Sequence, residues 1–258
     1  MIEAIGLSDV GRKRDKNEDS ILVDDEVSLY MVADGMGGHQ GGEYASRMTV
    51  ETVRDVFHQT EDAEAPSPED AAQASETAGE RLKYAIRTAS KRVYDEAARN
   101  QDLSGMGTTA VGIAIADGKA YIANVGDSRA YLIREKEITQ LTEDHSLVSE
   151  QVKAGLVTEE GARHHRLKNI ITRSVGFQSE VEADLLVRDL EAGDVFLLCS
   201  DGLSNLVENG DILKIVSKNK KLDSACQRLI EQANESGGDD NISVILIRVQ
   251  DPDETLGA

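Results

Sequence analysis

The chain has 258 residues, 40% of them hydrophobic, no tryptophan, and a formal net charge of −20. That charge opposes nucleic acid and anionic lipid, which are held mainly by Lys and Arg, and no stretch reaches the roughly 18 apolar residues of a membrane span. Residues 1–9 lack the basic flank and apolar run of a signal peptide, so the expectation is a cytoplasmic protein, one domain over residues 1–258, with an aliphatic core.

Short apolar runs at 2–7 and 21–23 predict strands, followed by a third ending at Ala33. From Gly42 the period changes. Ala45, Met48, Val53, Val56 and Phe57 follow the spacing of an amphipathic helix. Residues 60–68 are acidic, contain two of the three prolines and predict a surface connection. A second helix follows, with Leu82, Ala85, Ile86, Ala89, Val93 and Ala97 on one face. Residues 108–115 and 120–125, joined at Asp117-Gly118, predict a β-hairpin, and 129–133 with a turn near Glu135 continue the meander. Residues 145–177 carry three of the five histidines and show no clear strand. They predict an excursion over the surface, of the kind that borders sites. Strands are expected at 181–188, 195–199 and 242–249, helices at 211–217 and 222–233, and an acidic tail at 251–258. This order predicts an α+β fold of packed antiparallel sheets flanked by helix pairs. A parallel sheet would need a helix between nearly all successive strands. Cys199 ends a buried strand and Cys226 lies on an apolar helix face, which predicts two free core thiols rather than a disulfide.

Three acidic segments mark the boundaries of apolar runs: Asp34-Gly35-Met36-Gly37-Gly38, Ser200-Asp201-Gly202 and Gly237-Gly238-Asp239-Asp240-Asn241. A carboxylate at the end of a buried strand costs free energy unless its charge is compensated. Several together point to hard divalent cations, which prefer oxygen ligands. Glycine beside Asp34 lets backbone approach a ligand and exposes its carbonyl. Arg14 lies in a charged segment with Glu18 and Asp19, and a guanidinium can clamp a phosphate through paired hydrogen bonds. Each of these has a bland counterpart: a Gly-rich turn, or a solvated charge cluster. The repetition of the acidic pattern weighs against it. The Gly-x-x-x-x-Gly-Lys-Ser/Thr arrangement of a nucleotide-binding loop is missing.

Together, Arg14-x-x-Asn17-Glu18-Asp19, Asp34-Gly35-Met36-Gly37-Gly38-His39-x-Gly41-Gly42-Glu43, Gly105-Met106-Gly107-Thr108-Thr109, Asn124-Val125-Gly126-Asp127-Ser128-Arg129-Ala130, Thr142-x-Asp144-His145-Ser146, Ser200-Asp201-Gly202-Leu203 and Gly238-x-Asp240-Asn241 resemble a bacterial metal-dependent Ser/Thr protein phosphatase of type 2C. The resemblance runs from about Gly6 to Val249. It implies a four-layer αββα sandwich with a flap insertion at about 145–177. It implies hydrolysis of phosphoserine and phosphothreonine in proteins by a water activated between two Mn²⁺ or Mg²⁺ ions. Asp34 is expected to bridge the ions, Gly35 to offer its carbonyl, Asp201 and Asp240 to complete the ligands, and Glu18 and Asp19 to act through water. Arg14 is expected to bind the phosphate, and His39 is the candidate proton donor to the leaving oxygen. His145 is expected to be structural, and His164 and His165 to be surface residues of the flap. Asp127 remains for a third metal site, but Asn205 replaces a family aspartate there, so that site is expected to be weak or absent. Arg166 stands where many bacterial relatives have Pro, which implies a freer flap. Phosphorylated proteins, including a Ser/Thr kinase, are the expected partners of a monomer. The alternative is a catalytically silent metal-binding regulatory module of the same fold.

Overall fold

The computed structural model of the chain describes residues 1–37, 41–62, 77–158, 161–162 and 165–250. The chain opens with strands β1 (Ile2–Asp9), β2 (Asp19–Asp24) and β3 (Leu29–Met36), then helices α1 (Gly41–Asp62) and α2 (Ala78–Arg99). Strands β4 (Gly107–Thr108), β5 (Ala110–Ala116), β6 (Lys119–Val125), β7 (Arg129–Arg134) and β8 (Glu137–Gln140) follow. After helix α3 (Leu147–Lys153) come β9 (Asp184–Asp189), β10 (Val195–Cys199), α4 (Asp201–Ser204), α5 (Asn209–Lys218), α6 (Leu222–Glu235) and β11 (Ile242–Val249).

One sheet has the order β1-β11-β10-β7-β8 and the other β2-β3-β5-β6-β9, with β4 paired to β3. Every pairing is antiparallel. Side chains alternate faces along a strand, and here both faces are covered. On β3, Leu29, Met31 and Ala33 pack against Val53, Phe57, Leu82 and Ile86 of α1 and α2. Tyr30 and Val32 point the other way, into the space between the sheets, where they meet Phe196, Leu198, Ile245 and Ile247. On β10, Leu197 and Cys199 turn outward onto Ile212, Cys226 and Leu229 of α5 and α6. The result is four layers in the order helix, sheet, sheet, helix, with three apolar clusters between them. Double coverage is why these strands read as unbroken apolar runs. Each fully buried Leu, Ile or Phe contributes about 1.5–3 kcal/mol of transfer free energy.

Local chemistry fixes the helix ends. Thr77 caps α2, its Oγ1 accepting from the Glu80 N–H at 3.3 Å, which satisfies one of the orphan donors of the first turn. The buried stripe Leu82, Ala85, Ile86, Ala89, Ser90 and Val93 follows the helical period. Cys199 and Cys226 are buried free thiols. Among the described residues no helix is long and apolar enough to cross a membrane.

The structure departs from the sequence pattern in three places. The first strand of the expected hairpin is broken at Thr109: β4 pairs with Gly35 and Met36, while β5 starts at Ala110. Thr109 instead spends its N–H on the Asp34 carbonyl at 2.9 Å. The strand expected from 181 begins at Asp184, although Val181 and Ala183 are buried. The four-residue α4 was not visible as a helix, being shorter than two turns of any periodic signal.

Candidate active site

Strand parity gathers the site. The inner faces carry Ile21, Tyr30 and Val32, Val111, Phe196 and Leu198, and Ile245 and Ile247. Two residues further along the same faces lie Asp19, Asp34, Thr109, Ser200 and Ser243. The layer between the sheets therefore turns from aliphatic to polar at one end. Asp19 and Asp34 are direct cross-strand partners on β2 and β3. Asp201 opens α4 immediately after β10, and Asp240 precedes β11, the neighbour of β10. Asp127 sits in the turn between β6 and β7.

Arg14, Glu18, Asp34, Gly35, Asp127, Asp201 and Asp240 line one cavity of about 550 Å³, joined there by Asn169, Ile171, Thr172, Ser174 and Phe177. Asp19 lies behind it, 8% exposed. Its Oδ2 accepts hydrogen bonds from Ser243 Oγ at 2.6 Å and Ser200 Oγ at 2.8 Å. The Asp34 backbone is pinned on both sides, its N–H donating to Thr109 Oγ1 at 2.9 Å and its carbonyl accepting from Thr108 Oγ1 at 2.8 Å. A Cβ on Gly35 would lie 2.1 Å from the Gly42 carbonyl oxygen and 2.4 Å from that of Glu18. Only glycine permits that approach. The Arg14 guanidinium donates to Asp240 Oδ2 at 2.6 Å. Asn241 ties the loops together, accepting from the Glu18 N–H and donating to the carbonyls of Val10 and Lys16.

The electrostatics are those of an uncompensated anionic cage. Burial first, then the charges of Asp19, Asp201, Asp127 and Asp240, holds the Asp34 carboxyl well above the usual carboxylate range. Burial also raises Asp19, against the pull of its two serine donors. Asp127 is raised by burial and by Asp201 and Asp144. Asp201 is raised by burial and by Asp240, with Lys168 opposing. Glu18 is raised by burial, with Arg14 opposing. Two carboxylate oxygens, Asp19 Oδ1 and Asp201 Oδ1, are buried with no hydrogen-bond partner among the described residues. Such atoms are costly unless a cation or donor meets them. The donor set is all oxygen and strongly anionic, so hard divalent cations fit it.

Of the residues singled out from sequence, Arg14, Glu18, Asp19, Asp34, Gly35, Asp127, Asp201 and Asp240 come together. His39 and His164 lie outside the described residues. His145 is buried and structural: its Nδ1 accepts from the Gly126 N–H at 3.0 Å, and its Nε2 meets Asp184 at 3.1 Å. Four supporting residues were given no role by sequence reasoning. Ser243 interrupts an aliphatic strand, a readable signal. Arg129 holds Asp144 through two parallel hydrogen bonds of 2.9 and 2.7 Å, bracing the turn that carries Asp127; both residues fell in motifs but carried no geometry. Lys168 Nζ lies 3.4 Å from Asn205 Oδ1, a contact with no sequence signal.

An all-oxygen, anionic cavity with a guanidinium on its wall suits divalent cations and a phosphate together, the chemistry of metal-dependent phosphate-ester hydrolysis. Comparison with known proteins gives the family: residues 6–242 match protein phosphatase 2C. The chain belongs to the protein phosphatase 2C family. A serine/threonine phosphatase stp of Listeria innocua is 39% identical over 243 residues, covering 93% of each chain. The Mycobacterium tuberculosis serine/threonine phosphatase PstP/Ppp superposes with a TM-score of 0.86 at 33% identity, covering 97% of this chain and 99% of that one. The catalytic domain of PstP in complex with 2 manganese ions gives 0.83 at 34% identity, with the same coverage.

Proposed function

We propose that this serine/threonine protein phosphatase uses two divalent cations, Mn²⁺ or Mg²⁺, held by Asp34, the Gly35 carbonyl, Asp201 and Asp240. Glu18 and Asp19 act through water in this reading, and Asp127 with Asp201 offers a third, weaker position. When bound, the cations supply positive charge that offsets the carboxylates, lowers the pKa of a water and stabilises phosphoryl oxygens.

The chain's own groups do the rest. Arg14 places the phosphate: one NH₂ is committed to Asp240, and the guanidinium, with donors to spare, lines the cavity. A planar guanidinium can hold two phosphoryl oxygens at once and stabilise their charge in the transition state. Ser200 and Ser243 keep Asp19 oriented as an acceptor. Thr108 and Thr109 fix the backbone of Asp34, so the carboxylate is preorganised rather than ordered at the moment of reaction. His39 is the proposed proton donor to the departing Ser or Thr oxygen. Neither cysteine lines the cavity, which supports a mechanism without a thiol nucleophile.

The reading extends to a single catalytic domain over 1–258 with a flap at 145–177, a monomer acting in the cytoplasm on phosphoproteins, a Ser/Thr kinase among them. The observation that carries it is the cage itself, with two buried carboxylate oxygens left without partners. Hydrolysis of p-nitrophenyl phosphate with Mn²⁺ tests it. Turnover should vanish with chelator and fall about 1,000-fold in Asp34→Ala, the several kcal/mol of metal-derived stabilisation being lost. Chelator-resistant turnover, or full activity of Asp34→Ala, would overturn it.

A further inference from the structure

Phe177 is 73% exposed and stands on the wall of the catalytic cavity. Single exposed apolar residues are ordinary, so exposure alone says nothing. Its mount says more. The turn that displays Phe177 is held from inside by Ser90, a fully buried residue of α2. Ser90 Oγ accepts the Gly176 N–H at 3.0 Å and donates to the Gln178 carbonyl at 2.9 Å. Gly176 has φ +87, and a Cβ there would meet Val93 Cγ1 at 2.2 Å. Val175, 0% exposed, exchanges backbone hydrogen bonds of 2.8 and 3.0 Å with Thr108. Thr108 in turn holds the Asp34 carbonyl. The residues on either side of Phe177 are thus anchored in the core, and a short chain of hydrogen bonds ties them to the centre of the cage.

Ile171 and Met36 line the same cavity, so apolar side chains stand among its carboxylates. A phosphorylated segment is itself anionic, and the protein's net charge is −20. Long-range electrostatics therefore work against its approach; Arg14 meets the phosphate itself, and apolar contact is an attraction open to the side chains next to it. An aromatic ring held in place supplies contact area at little cost in side-chain entropy.

We propose that Phe177 is a specificity-determining residue, packing on an apolar side chain adjacent to the phosphorylated Ser or Thr of the protein substrate. The inference rests on the phosphatase reading above. Its test compares two phosphopeptides that differ only beside the phosphoresidue, one with Leu there and one with the neutral, similarly sized Asn. The Mn²⁺-loaded protein is assayed as wild type, Phe177→Ala and Phe177→Leu. Wild type should prefer the Leu peptide in kcat/KM by about 10-fold, the scale of one apolar contact in a pocket. Phe177→Ala should bring the ratio close to one, mainly through KM, and Phe177→Leu should recover most of it. Both peptides meet the same preparation, so partial loss of folded protein cancels. A ratio that Phe177→Ala leaves unchanged, or a wild type with no preference, overturns the proposal while turnover persists. Failure of wild type to hydrolyse either peptide strikes the phosphatase reading itself.

Discussion

Asp19 and Asp34 face each other across β2 and β3, where like charges are destabilising in an ordinary sheet. The serines that donate to Asp19 relieve part of that cost, and cations would relieve the rest. Asn205 is the point where this chain differs chemically from the pattern it resembles. Its Nδ2 donates to Asp201 Oδ2 at 2.9 Å, and its Oδ1 receives Lys168. The amide is therefore committed to neutral bridging, and the charge beside Asp201 comes from the Lys168 ammonium. Asn205→Asp would remove the donor on Asp201 and add an anionic oxygen. Calorimetric titration with Mn²⁺ should then show an additional equivalent or a several-fold tighter weak site; unchanged stoichiometry and unchanged activity would refute this account of Asn205.

At the level of elements, the turn carrying Asp127 depends on a histidine from the segment after β8. Gly126 donates to His145 Nδ1, so that nitrogen carries no proton and the ring is neutral, with its Nε2–H directed to Asp184. Burial lowers the His145 pKa, against the opposing pull of Asp184; Arg173 and Lys153 reinforce the lowering. A histidine with a folded pKa below its unfolded value contributes fully above about pH 6.5 and loses that contribution as pH falls through the folded value. His145 should thus contribute a drop in melting temperature between about pH 7.5 and pH 5.5, at roughly 2–4 °C per kcal/mol for a chain this size, set against the rise that the raised carboxylates of the cage contribute over the same range with or without the histidine. In His145→Gln, whose amide can both accept from Gly126 and donate to Asp184 without titrating, the drop should be smaller. Identical slopes in the two proteins would remove His145 as the cause.

For the whole molecule, the cage places stability in the hands of whatever neutralises it. Cations that bind only the folded state stabilise by about 2.7 kcal/mol per site at 100 times Kd. With two sites filled, scanning calorimetry should show Mn²⁺ raising the melting temperature by roughly 10–20 °C, chelator reversing it, and Asp34→Ala showing little response. The two sheets are what couple these effects. Asp19 and Asp34 belong to one sheet, while Ser200, Ser243, Asp201 and Asp240 belong to or flank the other. A cation between them would act as a clasp on the sandwich.

Periodicity alone made the helices and most strands legible, because burying one helical stripe or two strand faces leaves a repeat in the residues themselves. Leu82 to Val93 and Leu222 to Ala233 needed no third dimension. Acid–glycine segments at strand ends made Asp34, Asp201 and Asp240 visible as candidates. What only the folded chain decided was convergence. Strand register set Asp19 opposite Asp34, parity brought Ser200 and Ser243 to Asp19, and the return of residues 168–177 brought Lys168 to Asn205 and Phe177 to the cavity wall. Those relations join residues more than 150 positions apart in some cases, and no local pattern encodes them; they follow from which sheets stack and in what register.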